Sequence, residues 1–261
     1  MPEPLLLTVK NAVATISIND APYNRMSLDY MDALEKLLPK LAGDNNVRAL
    51  VFTGEGEDHF SVGMHLKQFA QGMERKGGAD ALLDQRLRVL NTIEHLGKPS
   101  IATLFGYCLG GGLELPLACH FRIAADKGAQ IGLPEMDLGG VPAWGGSARL
   151  PRCVGRDHAL DMILRGRKIG GEEALRIGLV TEILPVSELK ARAQALGEEL
   201  ARQPRLAVKG VLDTIVGFES KSLAESLLDE RDAVQQTRGT PDAAEGMRAF
   251  LEKRPPVFNQ S

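Results

Sequence analysis

The stretch GYCLGGGLELPLACHFRIA, Gly106 to Ala124, sets Glu114 in an otherwise apolar run directly after Gly110, Gly111 and Gly112. A glycine turn that opens a helix leaves backbone N–H groups without intrahelical partners, and the helix dipole adds to their positive character. Such a turn can hold an oxygen that gains negative charge during a reaction. Leu113, Leu115, Leu117 and Ala118 read as a buried helix that starts near Gly111. Pro116 fits that start, because proline has no N–H and is tolerated in a first helical turn. Glu114 is then either a paired structural carboxylate or a reagent, and close glycine packing without chemistry is the competing explanation for the turn.

Two further segments carry groups that could join it. GLPEMDLGGVPAWGGSARLPRCVG, Gly132 to Gly155, contains Glu135 among glycines and prolines. That density argues for a structured loop close to a ligand or another strand rather than a regular element. The bland alternative for Glu135 is a carboxylate in solvent or paired with Arg149, and Asp137 competes for any role. GEGEDHFSVGMHLKQF, Gly54 to Phe69, follows a buried strand and presents Ser61, Gly63 and Met64, where a backbone N–H would face a second side of the same pocket. His65 invites a catalytic or metal reading, but the chain's five histidines include no ligand-spaced pair, so no metal is expected. No G-x-S-x-G elbow supplies a serine nucleophile, and the glycine spacing is not a dinucleotide fingerprint.

The surrounding elements alternate. Leu5 to Val9 and Val13 to Ile18 read as strands joined by a hairpin at Lys10-Asn11. Leu28, Met31, Leu34, Leu37, Leu38 and Leu41 follow at helical spacing, with Ser27 as N-cap and Gly43 as the stop. VRALVFTGEG and SIATLFG read as buried strands flanking the helix DALLDQRLRVLNTIEHLG, and FRIAAD and AQIGLPE as further strands. Gln71 to Leu82 is glycine-rich and reads as flexible. From Asp157 onward the pattern is mostly helical, including a surface helix capped by Ser187 and a last helix ended by Pro255-Pro256. The expectation is an α/β fold with a parallel sheet, followed by helices whose apolar stripes pack on the body or on another subunit.

Composition bounds the function. The 261 residues are 44% hydrophobic and 25% charged, as in a globular protein, and a net charge of −3 with mixed signs offers no stripe for nucleic acid. Cys108, Cys119 and Cys153 lie in apolar contexts, as reduced thiols do, which points to a reducing compartment. No secretory leader and no membrane-spanning run is visible, so a cytoplasmic location without membrane contact is expected.

Taken in order, NRMS (Asn24 to Ser27), FSVGMHLK (Phe60 to Lys67), GYCLGGGLEL (Gly106 to Leu115), GLPEMDLGGVP (Gly132 to Pro142), GGSARLPRCVG (Gly145 to Gly155) and FLEKRPPVF (Phe250 to Phe258) resemble the crotonase superfamily, which includes enoyl-CoA hydratase and isomerase. The resemblance covers nearly the whole chain. It implies a repeated ββα spiral core over residues 1–200 and a C-terminal helical region over 201–261 that builds homotrimers, often paired into hexamers. It also implies a coenzyme A thioester as substrate, with coenzyme A as part of that substrate and no separate cofactor. By motif position the oxyanion donors are the backbone N–H groups of Met64 and Gly111, beside Gly63 and Gly112. Family members that hydrate a 2,3-double bond carry glutamates at both positions found here, so the resemblance assigns Glu114 to activating water and Glu135 to protonating the α-carbon. An isomerase, a thioester or C–C hydrolase with one working carboxylate, and a catalytically silent scaffold are the alternatives. Substrate contacts are placed at Arg25, Lys67, Phe250 and Lys253. Three departures mark the pocket: His65 stands where an aspartate is usual, and Ala143 and Trp144 replace a small glycine-alanine pair. Trp144 is either a wall of the acyl pocket or a core or interface aromatic.

Overall fold

The computed structural model describes residues 3–260. Strands β1 (Leu5–Lys10) and β2 (Val13–Ile18) pair antiparallel, and the turn falls on Asn11 and Ala12, both with positive φ. Helix α1 (Leu28–Gly43) begins where the Ser27 side chain accepts a hydrogen bond from Tyr30 N at 3.1 Å, and it buries Leu28, Met31, Leu34, Leu38 and Leu41.

A repeating unit then lays down two layers. β3 (Ala49–Gly54) enters the main sheet, the segment around Ser61 to Met64 enters a second layer, and helices α2 (Phe69–Lys76) and α3 (Ala79–Glu94) return the chain. β4 (Ser100–Leu104), β5 (Tyr107–Leu109) and α4 (Gly111–Leu117) repeat this, as do β6 (Phe121–Ala125), β7 (Gln130–Gly132), a 3-10 turn at Pro134–Leu138 and α5 (Gly146–Val154). α6 (Arg156–Leu164), α7 (Gly171–Arg176), β8 (Glu182–Leu184) and α8 (Val186–Ala201) follow. The main sheet has six strands in the order β1-β2-β3-β4-β6-β8, parallel beyond the first pair. In the second layer β5 pairs with β7, and single bridges Ser61–Cys108, Met26–Met64 and Ile131–Ile169 extend it. Each ββα turn thus brings one loop to the same edge, and the site forms there.

Several local readings differ from the sequence expectation. The α8 helix is not a surface helix: it covers the main sheet, burying Leu189, Ala193, Gly197 and Ala201. Gly197 lets it approach so closely that a Cβ there would lie 2.9 Å from Val13 Cγ1. It starts at Val186 after Pro185, which leaves Ser187 inside the first turn with no capping bond. The stretch from Gln71 to Leu82 is helical, broken only at Gly77-Gly78, because Arg75 and Lys76 reach Asp29 and Asp32 of α1. Pro116 sits near the end of α4, not in its first turn; lacking an N–H, it cannot donate to Gly112 O, and the helix stops one residue later.

Beyond Ala201 come α9 (Arg205–Gly217), α10 (Leu223–Thr237) and α11 (Pro241–Glu252). Their outward faces expose Val211, Ile215, Phe218, Leu227, Leu228 and Phe250. Among the described residues no helix is long and apolar enough to cross a membrane.

Candidate active site

The loop before α2 is held by Asn24, a buried residue with positive φ. Its Nδ2 donates to Glu55 O and His59 O at 2.9 and 2.7 Å, and its carbonyl accepts from Ser61 Oγ at 2.6 Å. Met26 N donates to Gly63 O and His65 N to Met26 O, which fixes Met64 between them in extended form. The Met64 N–H itself makes no hydrogen bond among the described residues. Gly111 is the first residue of α4 and its N–H likewise lacks an intrahelical acceptor. The two amides are brought together by glycines: a Cβ on Gly63 would lie 2.8 Å from Gly111 N, and one on Gly112 would lie 2.2 Å from Ser61 O. Two free amide donors from separate loops therefore flank one space.

Glu114, on the first turn of α4, is only 2% exposed. Its Oε1 accepts hydrogen bonds from Trp144 N at 2.7 Å and Gly146 N at 2.8 Å. Burial pushes its pKa up to about 7 despite those donors, and the charge of Glu135 adds to the rise. Glu135 comes from the 3-10 turn, with Oε1 against Gly110, whose positive φ and missing side chain make the room. Its Oε2 is buried without a hydrogen-bond partner among the described residues, and burial raises its pKa as well. Two carboxyl groups with raised affinity for protons thus share one pocket, an arrangement suited to acid–base work.

Arg149 does not pair with Glu135. It lies in α5, where Nε and Nη2 donate to Glu94 Oε2 at 2.9 and 2.7 Å, Nη2 reaches Asn91 Oδ1, and Nη1 donates to Trp144 O at 3.2 Å. Trp144 is both core and wall. Its ring is buried against Gly111, where a Cβ would meet Cζ3 at 2.5 Å, and it lines a cavity of about 480 Å³.

That cavity brings together Met64, Gly111, Glu114, Glu135, Ala143 and Trp144. Gly63 and Gly112 back the amide pair. His65 follows directly, with Nδ1 buried and unpartnered among the described residues. Arg25 pairs with Asp20 beside the Asn24 loop, and Lys67 is exposed on the next turn. Phe250 and Lys253 are exposed on and after α11 and do not line this cavity. Sequence reasoning did not single out Phe69, Leu83 and Leu138 as walls, since isolated apolar residues carry no chemical signature. The clamping role of Arg149 was likewise hidden, its partners lying on α3.

A sequence profile of the enoyl-CoA hydratase/isomerase family matches residues 8–261. The chain belongs to that family. A probable enoyl-CoA hydratase of Bacillus subtilis is 37% identical over 255 residues, 97% of each chain. A short-chain-enoyl-CoA hydratase of Clostridium acetobutylicum is 32% identical, covering 96% of this chain and 95% of its own. Among solved structures, an enoyl-CoA hydratase of Bacillus anthracis superposes with a TM-score of 0.92 at 33% identity, over 99% of this chain and 100% of that one. Pseudomonas aeruginosa DspI also gives 0.92, at 35% identity over 98% and 97%. The ββα spiral is thus the crotonase fold of the enoyl-CoA hydratase/isomerase family, and the motifs FSVGMHLK, GYCLGGGLEL and GLPEMDLGGVP supply residues that line its pocket.

Proposed function

We propose that the chain is an enoyl-CoA hydratase, adding water reversibly across the 2,3-double bond of a 2-enoyl-CoA. One observation carries this reading: Glu114 and Glu135 face the same cavity as the free amides of Met64 and Gly111. The thioester oxygen accepts from both amides, each worth about 3–4 kcal/mol as charge develops there. Glu114 works as the base in its ionised form: burial lifts its pKa to about 7, and two amide donors and the charge of Arg149 keep it from rising further. Glu135 works as the acid, with only its own backbone opposing the effect of burial. The charge of Glu135 raises the pKa of Glu114, so the two carboxyls titrate as a coupled pair.

Glu114 takes a proton from water while the oxygen bonds to C3. The π electrons move toward the thioester oxygen, giving an enolate. Glu135 delivers its proton to C2 as the carbonyl re-forms, and the net change is the addition of one water. Returning the proton from Glu114 to Glu135 resets the site.

The backbone around Arg25 contacts the coenzyme, Lys67 and Lys253 are the groups for its phosphates and Phe250 the cover for its adenine, Lys253 and Phe250 reaching a site within an assembled trimer or hexamer. The naming of the Clostridium relative as a short-chain-enoyl-CoA hydratase supports hydration over the other family chemistries. The test is turnover of crotonyl-CoA by Glu114→Gln and Glu135→Gln. Each should lose roughly 100- to 10,000-fold with the fold retained. Normal turnover in either variant rejects the mechanism, and loss confined to one favours an isomerase or a hydrolase with a single working carboxylate.

A further inference from the structure

Arg86, on α3, is a fully buried cation at 0% exposure. Its Nη1 donates to Gln85 Oε1, while Nε and Nη2 have no partner among the described residues. Buried charges are normally paired, because an unpartnered one keeps its whole desolvation cost. The nearest carboxylates are engaged elsewhere: Asp32 by Arg75, Lys76 and Gln85, and Glu35 by Gln85 and Arg88. Burial lowers the guanidinium pKa to about 10, which still leaves it charged at neutral pH.

Its location is informative. Leu83, one turn earlier on α3, lines the cavity, and so does Trp144, whose ring centre lies 5.8 Å from the Arg86 guanidinium carbon. A positive charge thus stands over the ring of one wall residue of the cavity, Trp144, and one helical turn from another, Leu83. Nε and Nη2 are also the side-on pair of a guanidinium, the fork that grips a carboxylate. Arg149 uses that pair on Glu94, and Arg25 uses it on Asp20. In Arg86 it is unfilled.

We propose that Arg86 is a specificity-determining residue that selects acyl-CoA thioesters carrying a carboxylate at the far end of the acyl chain. The ω-carboxylate accepts from Nε and Nη2 once the Leu83 side chain turns aside. For the reaction this rests on the hydratase reading, but the recognition does not depend on it. In the test, binding of glutaryl- and adipoyl-CoA is compared by calorimetry with that of pentanoyl- and hexanoyl-CoA, and hydration of 2-hexenedioyl-CoA with that of 2-hexenoyl-CoA. The ω-carboxy ligand of at least one pair should bind tenfold or more tightly than its methyl-ended counterpart, with a matching preference in kcat/KM. Arg86→Met should cut that ratio at least tenfold, and Arg86→Lys should restore part of it. Equal or weaker binding of both diacid thioesters overturns the proposal, as does an unchanged ratio in Arg86→Met. If Arg86→Met does not fold, the native protein's binding comparison decides alone. Hydration without diacid preference sinks the Arg86 assignment and leaves the hydratase; diacid preference without hydration does the reverse.

Discussion

Gly63 packs directly against Gly111. A Cβ on Gly63 would stand 2.8 Å from Gly111 N and 2.7 Å from Leu109 O, both backbone atoms that cannot swing aside, and its φ of +82° is strained for any other residue. Gly63→Ala should therefore push the Met64 and Gly111 amides apart. Backbone strain alone costs about 1–3 kcal/mol, visible in urea denaturation. Losing convergence on the thioester oxygen should cut kcat by about 100- to 1,000-fold, the effect of one lost oxyanion donor. Native-like turnover of crotonyl-CoA would show that the amides do not act together.

The buried carboxyl of Glu114 makes stability depend on pH. Its pKa stands at about 7 against an ordinary 4.5, so the folded protein holds the proton more tightly than the unfolded chain does. Stability from this group is complete below about 4.5 and is lost as pH rises through about 7, by up to roughly 3 kcal/mol. Denaturation of the native protein and Glu114→Gln at pH 5 and pH 8 should show the steeper loss in the native protein. Equal slopes would mean that Glu114 is not held protonated. If Glu114 is the base, kcat/KM should rise over the same range.

Much of this was legible because it is local. Ser27, the Val13–Ile18 strand and the start of α4 at Gly111 follow from capping, alternation and glycine geometry within a few residues. What stayed hidden depends on distant partners. Arg149 turns to Glu94 because α3 packs beside α5, a contact 55 positions apart in the chain. Gln71 to Leu82 becomes helical through Asp29 and Asp32 of α1, outweighing its glycines. The α8 helix looks amphipathic and solvated in sequence, yet Gly197 allows it to sit on Val13 of the sheet.

The apolar faces of α9, α10 and α11 predict self-association. Val211 and Ile215 on α9, Leu228 on α10 and Phe250 on α11 are exposed, and exposed apolar patches mark interaction surfaces. Sedimentation equilibrium should find three or six protomers per particle. Ile215→Asp should shift the distribution toward smaller species with the helical content of the protomer retained. A native monomer at micromolar concentration would refute the expectation and remove Phe250 and Lys253 from any shared site.

Arg149 should tune Glu114 through Trp144. Its Nη1 holds Trp144 O at 3.2 Å while Trp144 N donates to Glu114 at 2.7 Å, and its positive charge lowers the pKa of that carboxyl. Arg149→Met removes both the clamp and the charge and leaves Glu94, 26% exposed, without its ion-pair partner, at a cost below the roughly 3–5 kcal/mol of breaking a fully buried pair. Arg149→Lys keeps the charge but loses the fork. The Met variant should move the rise of kcat/KM with pH to higher values, because Glu114 gives up its proton less readily. The Lys variant should leave that rise near its native position while lowering kcat, since the amide of Trp144 is no longer fixed. If both variants lose only stability and the pH profile stays put, Arg149 is a brace for α3 and α5 with no influence on the chemistry.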